Sequence, residues 1–435
     1  MKWFIVLLLA LGSVGVALSQ ERDVSFRRYF TQKVYQRLSQ QNPSLINEQN
    51  DLNVFVSKER RKIIFKKVTI PVVFHIVYSS GQLYPSEEQV YSQIEALNRD
   101  FSKQSYRVQH PADTLEGFSR KAQDMQIEFC LAKEGPSGKT EPAIRFIPST
   151  STEFKDDDLL KTQRFGSPAW DTEQYLNIWV ANLADSISGY AQMPGGPDET
   201  DGIVIDYRYF GTLGTARAPY DEGKTLTHLA GNYLGLYDLW REDILCADDF
   251  VEDTPIHNAP NLQCPLYKQV TTCLGNSVEM TMNFMDNTYD ACLYMFTLGQ
   301  KERMQAILSE GGPRYKLASS NVKCTNNFGN NANNVVHLPT AGENATSLQP
   351  FIVNIYPNPA FTEFKVQIKA NTESGKQVKI SIVNAIGALQ LEQMRDLNKG
   401  VQEFIINCRN WSPGMYYITL QTDRQFATHH IVVGR

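Results

Sequence analysis

A chain of 435 residues is longer than one ordinary core and divides, at roughly 100 to 200 residues per domain, into two or three folded units. Its 42% hydrophobic, 11% aromatic and 20% charged residues exclude a disordered protein and describe one able to bury substantial cores. A net charge of -5 and a pI near 5.9 supply no long-range attraction to phosphate or anionic lipid, so nucleic acid and membrane surfaces are excluded as principal partners.

Residues 1-19 read as a secretory signal: Lys2, an apolar stretch from Phe4 to Ala10, then small residues around Ala17 and Ser19. That stretch is too short for a retained membrane span, which needs about 20 apolar residues, so no integral span is expected. Export permits disulfides. Residues 20-67 are polar and charged, with a helical rhythm through Tyr29, Val34, Tyr35 and Leu38 and a basic stretch from Arg60 to Lys67, as in a pro-segment or leader.

Val68 to Tyr78 is a continuous β-branched and apolar run suited to a buried strand. Glu87 to Phe101 places Val90, Ile94, Leu97 and Phe101 at three- and four-residue spacings and predicts an amphipathic helix. Further strands are expected at Ile127 to Ala132 and Tyr175 to Ala181, giving an α/β or α+β layer. Residues 222-240 carry a helical period through Leu226, Ala230, Tyr233 and Leu234, and Gly235 can turn the chain sharply. Residues 326-349, rich in Asn, Thr, Ser and Gly, read as a linker. Beyond them, Phe364 to Ala370, Val378 to Val383, Gln402 to Ile406, Met415 to Gln421 and Ala427 to Val433 alternate as the strands of a small β-sandwich would.

Of seven cysteines, Cys246, Cys264, Cys273 and Cys292 cluster, inviting a local disulfide framework, with a tetrahedral zinc site as the alternative. Cys130, Cys324 and Cys408 have no assigned partner.

The segment from His228 to Asp238 resembles the zinc helix of metzincin metallopeptidases, H-E-x-x-H-x-x-G-x-x-H, in which two His at i and i+4 share a helical face and a Glu acts on metal-bound water. Aligned on His228 and Gly235, Leu229 stands at the general-base position, Asn232 at the second ligand and Asp238 at the third. Carboxylate is a competent zinc ligand, but leucine accepts no proton, and a neutral amide oxygen is a poor donor beside imidazole. Met285, within Asn283 to Asn287, resembles the family's Met-turn, and Asn287 stands where a Tyr commonly assists.

The resemblance to the pappalysin family extends from about residue 68 to 310, through Ile70 to His75, Phe129 to Ala132, Tyr175 to Trp179, Gly189 to Gln192, Asp201 to Ile205, Asp253 to Pro255 and Phe296 to Met304. It implies an α+β fold, a metzincin-like peptidase domain over 68-325 with mixed sheet and helices, and the pairings Cys246 with Cys273 and Cys264 with Cys292. It also implies calcium as a possible ligand of Asp249 and Thr254, and zinc as the family cofactor, here absent or weak. Arg27 to Thr31 resembles an Arg-Arg-Cys-Gly-Thr-like pro-segment motif, with Tyr29 in place of the zinc-binding Cys. His257 and Asp243 are conceivable substitute ligands.

Residues 350-435, from Ile355 to Pro359 through Asn384 to Gly387, Gly414 to Tyr417 and Ile431 to Val433, resemble a type IX secretion sorting domain, a small all-β Ig-like sandwich. That implies passage through the type IX machinery of a Gram-negative bacterium to the medium or outer cell surface. The expectation is a secreted pseudopeptidase that holds a polypeptide or partner in the former substrate cleft. The alternative is an active secreted zinc metalloendopeptidase with a non-standard metal site.

Overall fold

The structure, a computed structural model, describes residues 27-60, 62-105, 117-138, 140-241, 243-265, 269-273, 277-326, 328, 351-357, 360-370, 376-384, 389-397, 400-421 and 426-434. The expected signal, most of the linker, and Asn358, Pro359 and Ala385 to Gly387 of the sorting motifs lie outside them. The chain forms two compact units that divide at Phe328.

In the first unit, helices α1 (Thr31–Gln41) and α2 (Ser44–Glu59) precede strand β1 (Val68–Ser79). Tyr29, expected in the rhythm of the first helix, instead lies before it in a β-bridge to Gly189. Helix α3 (Glu87–Phe101) starts at Ser86, whose hydroxyl accepts the Gln89 N–H. Strands β2 (Ile127–Ala132), β3 (Ile144–Ser149), β4 (Leu176–Ala181), β5 (Gly189–Ala191) and β6 (Ile203–Asp206) follow. Then come helix α4 (Lys224–Tyr233), helix α5 (Leu298–Leu308), with a capping box between Thr297 and Gln300, and strand β7 (Cys324–Thr325).

The sheet order is β5-β6-β4-β1-β2-β7. Strand β1 is long enough to pair β2 through Val68 to Val72 and β3 through Phe74 to Ser79 on one side, and β4 on the other, all parallel. Its alternate residues serve two cores. Ile70, Val72, Phe74 and Ile76 pack with Val90, Ile94, Leu97 and Phe101 of α3 and with Leu226 and Ala230 of α4. Val77 joins Val34, Leu38 and Leu45 of the N-terminal helices on the opposite side. Cover on both faces is the reason β1 is mostly apolar, with His75 as its one fully buried polar side chain. Leu52 and Val56 of α2 pack on Ala306 and Ile307 of α5. At about 1.5–3 kcal/mol per buried side chain, these five contacts make the N-terminal segment part of the folded core.

Disulfides join Cys246 to Cys273 and Cys264 to Cys292, the pairs implied by the family likeness, and exclude a zinc cluster of these four. A third, Cys130 to Cys324, ties β2 to β7, and Cys408 is free and buried.

Among the described residues, the second unit has seven strands rather than the five legible in the sequence: β8 (Phe351–Tyr356), β9 (Glu363–Ala370), β10 (Lys376–Asn384), β11 (Leu389–Leu397), β12 (Gly400–Asn407), β13 (Gly414–Gln421) and β14 (Phe426–Val433). They form antiparallel sheets β11-β10-β13-β14 and β12-β9-β8. Between them lie Phe364, Val366, Ile368, Val378, Ile380, Ile382, Ile418 and Leu420. The period-two pattern is that of a sandwich whose outer faces meet solvent.

Candidate functional site

Helix α4 begins without a side-chain cap at Gly223, and Asp290 stands in: its Oδ2 accepts the Glu222 and Lys224 N–H groups at 2.9 and 3.3 Å. The helix ends where Gly235 adopts φ +88°, a left-handed turn that returns the chain toward Asp238. Under the helix, Met285 approaches so closely that a Cβ on Gly231 would fall 2.6 Å from its sulfur. Met285 is fully buried, as floor of the site, and the Asn283 carboxamide holds its N–H at 2.9 Å.

His228 is wholly buried. Its Nδ1 lies 2.8 Å from the Phe284 carbonyl, which can only accept, so Nδ1 carries a hydrogen. Its Nε2 lies 2.9 Å from Asp238 Oδ1, and a ring nitrogen facing a carboxylate at that distance requires a proton between them. Asn232 donates from Nδ2 to the same Asp238 oxygen at 2.9 Å and to the Leu236 carbonyl at 3.2 Å. The structure therefore brings His228, Asn232 and Asp238 together, bonded to one another. Leu229 turns into the core and packs its δ-methyl against Gly189 of β5.

These residues do not fit a family-type zinc. Two ligands about 2.0–2.2 Å from a tetrahedral ion stand roughly 3.3 Å apart, whereas Nε2 and Oδ1 are at hydrogen-bond distance. Imidazole and carboxylate supply two corners, and the Asn232 oxygen is already engaged by the Thr31 hydroxyl at 2.9 Å. Among the described residues, no three His, Cys, Asp or Glu side chains converge as a metal site. The substitute ligands are used elsewhere. His257 Nε2 accepts the Met280 N–H at 2.9 Å, and Asp243 pairs with Arg241, which holds its carboxyl below the usual range. Asp249 and Thr254 hold each other, Thr254 Oγ1 donating at 2.7 Å, and burial pushes the Asp249 carboxyl up to about 7.

The cleft above the helix is filled by residues 27-31. Ser188 donates to the Arg28 carbonyl and Phe30 to the Gly189 carbonyl, each at 3.0 Å, which sets Tyr29 in a single parallel bridge on the β5 edge. The Tyr29 ring stacks on His228, centroids 3.7 Å apart and 5° from parallel. Burial pushes the Tyr29 phenol far up, and its hydroxyl has no hydrogen-bond partner among the described residues. Thr31 Oγ1 also accepts the Ala191 N–H at 3.1 Å. Asn287, at the position expected for Tyr, donates from Nδ2 to the Arg27 carbonyl at 3.1 Å.

Arg27 is fully buried in a pocket of Asp290, Thr225 and Tyr220. It pairs with Asp290 Oδ1 at 2.8 Å, donates to the Thr288 carbonyl, and lies 4.6 Å over the Tyr220 ring. Burial pushes the Asp290 carboxyl up, and Arg27 and Lys224 oppose that push. Nothing in the sequence signalled this pair, whose members are 263 residues apart.

A family profile described as Pregnancy-associated plasma protein-A, the pappalysin peptidases, matches residues 160–309, and a secretion-system C-terminal sorting domain matches 354–434. An extracellular metalloprotease of Arthroderma benhamiae is 34% identical over 243 residues, covering 54% of this chain and 76% of that protein. Extracellular metalloprotease 1 of Coccidioides posadasii is 37% identical over 247 residues, covering 55% and 76%. The chain belongs to the pappalysin family of metallopeptidases. Mature mirolysin of Tannerella forsythia, solved with a cleaved peptide, superposes with TM-score 0.54 at 38% identity, covering 59% of this chain and 97% of that one. A promirolysin variant reaches TM-score 0.59 at 34% identity, covering 67% and 96%. The C-terminal unit is a type IX sorting domain, which makes this pappalysin homologue a secreted or cell-surface protein served by that machinery. No described helix is long and apolar enough to cross a membrane.

Proposed function

We propose that this pappalysin homologue is a pseudopeptidase: it breaks no peptide bonds and keeps the family cleft as a binding groove for an extended polypeptide. The observation that carries the reading is the replaced metal set, in which His228 Nε2 is bonded to Asp238, the Asn232 oxygen is bonded to Thr31, and Leu229 lies in the core. A zinc-bound water has a pKa near 7 against 15.7 in bulk, so loss of the ion removes the nucleophile, and loss of the base alone removes roughly 10² to 10⁴ in rate. A polypeptide remains the natural occupant, because the β5 edge and its pockets need no metal to form strand hydrogen bonds. Asp249 and Thr254 remain a candidate calcium pair only if an ion displaces their mutual hydrogen bond.

The test is elemental analysis of the purified full chain together with casein and gelatin digestion, with and without o-phenanthroline. The expected result is zinc far below one ion per chain and no chelator-sensitive cleavage. Stoichiometric zinc with chelator-sensitive cleavage would overturn the reading in favour of an active endopeptidase with a non-standard site.

A further inference from the structure

Residues 27-29 run along β5 through the single bridge of Tyr29 to Gly189, Phe30 leaves the extended conformation, and Thr31 opens α1; Arg27 and Thr31 are buried and Arg28 is exposed. This register puts Tyr29 and Thr31 on the positions that a metal site would use. The bond from His228 Nε2 to Asp238 leaves the flat face of the imidazole open, and Tyr29 covers it at 3.7 Å. Asp238 and the Leu236 carbonyl take both contacts of the Asn232 amide nitrogen, which turns its oxygen toward Thr31. The Thr31 hydroxyl donates to that oxygen and accepts from Ala191 N–H, two bonds that only a hydroxyl makes at once. Asn287 takes the carbonyl two residues before the aromatic.

We infer that the replaced metal positions form a peptide receptor that selects a polypeptide running extended up to an aromatic residue and then turning, with Thr or Ser two positions after the aromatic. His228 supplies the stacking face, Asn232 the acceptor for the hydroxyl, and Asn287 a donor to the backbone. Asp238 is a positioning residue, orienting both His228 and Asn232. The inference rests on the pseudopeptidase reading and names its ligand class. Residues 27-31 are the tethered example, and a free polypeptide of the same pattern competes with them. Because the Tyr29 hydroxyl is buried without a described partner, the ring alone is recognised, and Phe serves as well as Tyr.

The experiment uses the full chain carrying Arg27→Met and Tyr29→Ala, which loosens the tethered occupant, and a fluorescein-labelled peptide of sequence Arg-Arg-Tyr-Phe-Thr read by anisotropy. Replacing the peptide's Tyr by Ala weakens binding about three- to tenfold, and replacing it by Phe does not weaken it. Replacing its Thr by Val weakens binding about tenfold, since the Asn232 oxygen is left buried and unpaired. In a receptor that also carries Asn232→Leu, the Thr and Val peptides bind alike, a loss of discrimination that a merely structural role for Asn232 would not produce. The same ranking is read in cis by hydrogen exchange at Ser188 and Phe30 in otherwise wild-type chains: Tyr29→Phe stays protected, whereas Tyr29→Ala, Thr31→Val and Asn232→Leu open. If the tethered segment still excludes the free peptide, the cis ranking decides. Equal binding of all peptides, or equal protection in all variants, overturns the inference. Failure of the pseudopeptidase reading shows separately, as zinc in the unaltered protein.

Discussion

Replacing Arg27 by Met tests whether one buried ion pair holds the cleft closed. Arg27 and Asp290 both have fully buried side chains, and Met keeps the stem volume while removing the charge and the bonds to Thr225 and Thr288. Breaking a buried pair from one side costs about 3–5 kcal/mol, because the remaining charge is left without its partner. Asp290 keeps the Glu222 and Lys224 N–H groups, which places the cost at the lower end, about 3 kcal/mol. At 1.36 kcal/mol per tenfold, the open population of residues 27-31 rises about a hundredfold. Hydrogen exchange read by mass spectrometry on peptides covering 27-31 and 186-192 reports it, since Phe30 N–H, Ser188 N–H and Ala191 N–H bond across that junction. Adding Asp290→Asn should recover part of the loss by removing the stranded carboxylate. The sign with pH is fixed as well. Burial already raises the folded-state carboxyl of Asp290, and without Arg27 it rises further. The closed state of Arg27→Met is then most stable at low pH and weakens as pH climbs from the ordinary carboxylate value through the raised one. Unchanged protection at Phe30 and Ser188, or opening no faster than that of β1, would refute the reasoning.

Restoring the family pattern with Leu229→Glu, Asn232→His and Asp238→His should raise zinc to about one ion per chain in elemental analysis, and Tyr29→Ala added to it should tighten retention against chelator, because the ring lies on His228. His75, buried between Ser167 and Asn177 and held down to about 3 mainly by that burial, stays neutral in the fold. Between pH 6.5 and 3 the unfolded chain binds the extra proton, so stability present above 6.5 falls by about 1.4 kcal/mol per pH unit as pH drops, and denaturant titrations of His75→Gln should lack that increment. Removing the Cys130–Cys324 bridge, whose residues are 194 apart, with Ala at both positions should lower the unfolding free energy by about 2–5 kcal/mol in chemical denaturation and free β7 from the sheet edge.

How much of this was legible depended on how local each signal was. The helix around His228 was readable because its apolar period and Gly235 lie within one short segment, and the Met-turn because Met285 sits in a compact motif. Strand β1 was readable from its unbroken apolar run. Strands β5 and β6 span three and four residues, too few for a period to emerge, and β3 carries Arg145 and Pro148 and pairs only with the distal half of β1. Strand β11 was hidden because its residues Glu392, Gln393, Arg395 and Asp396 give no apolar alternation at a sheet edge. Arg27, Thr31, Asp290 and Ala191 gain their meaning from contacts between the N-terminal segment and distant elements, and no spacing rule reports those.

The substitutions around His228 become coherent when the occupant is considered with the site. Leucine at position 229 alone, in an otherwise intact peptidase, would remove the base and leave the metal. Here the second ligand is an amide whose oxygen meets Thr31, the assisting position is an amide whose nitrogen meets the Arg27 carbonyl, and the first ligand presents its face to Tyr29. Each of these departures from the metal pattern thus faces a complementary group within residues 27-31, the short segment that leads into α1. Random decay of a catalytic site has no reason to bond the amide oxygen at 232 and the amide nitrogen at 287 to residues 201 and 260 positions away. These two bonds hold a register, because displacing residues 27-31 would leave their buried polar groups unpaired at about 1–3 kcal/mol each. On the pseudopeptidase reading proposed above, losing zinc and acquiring a polypeptide-selective surface are the same set of residue changes.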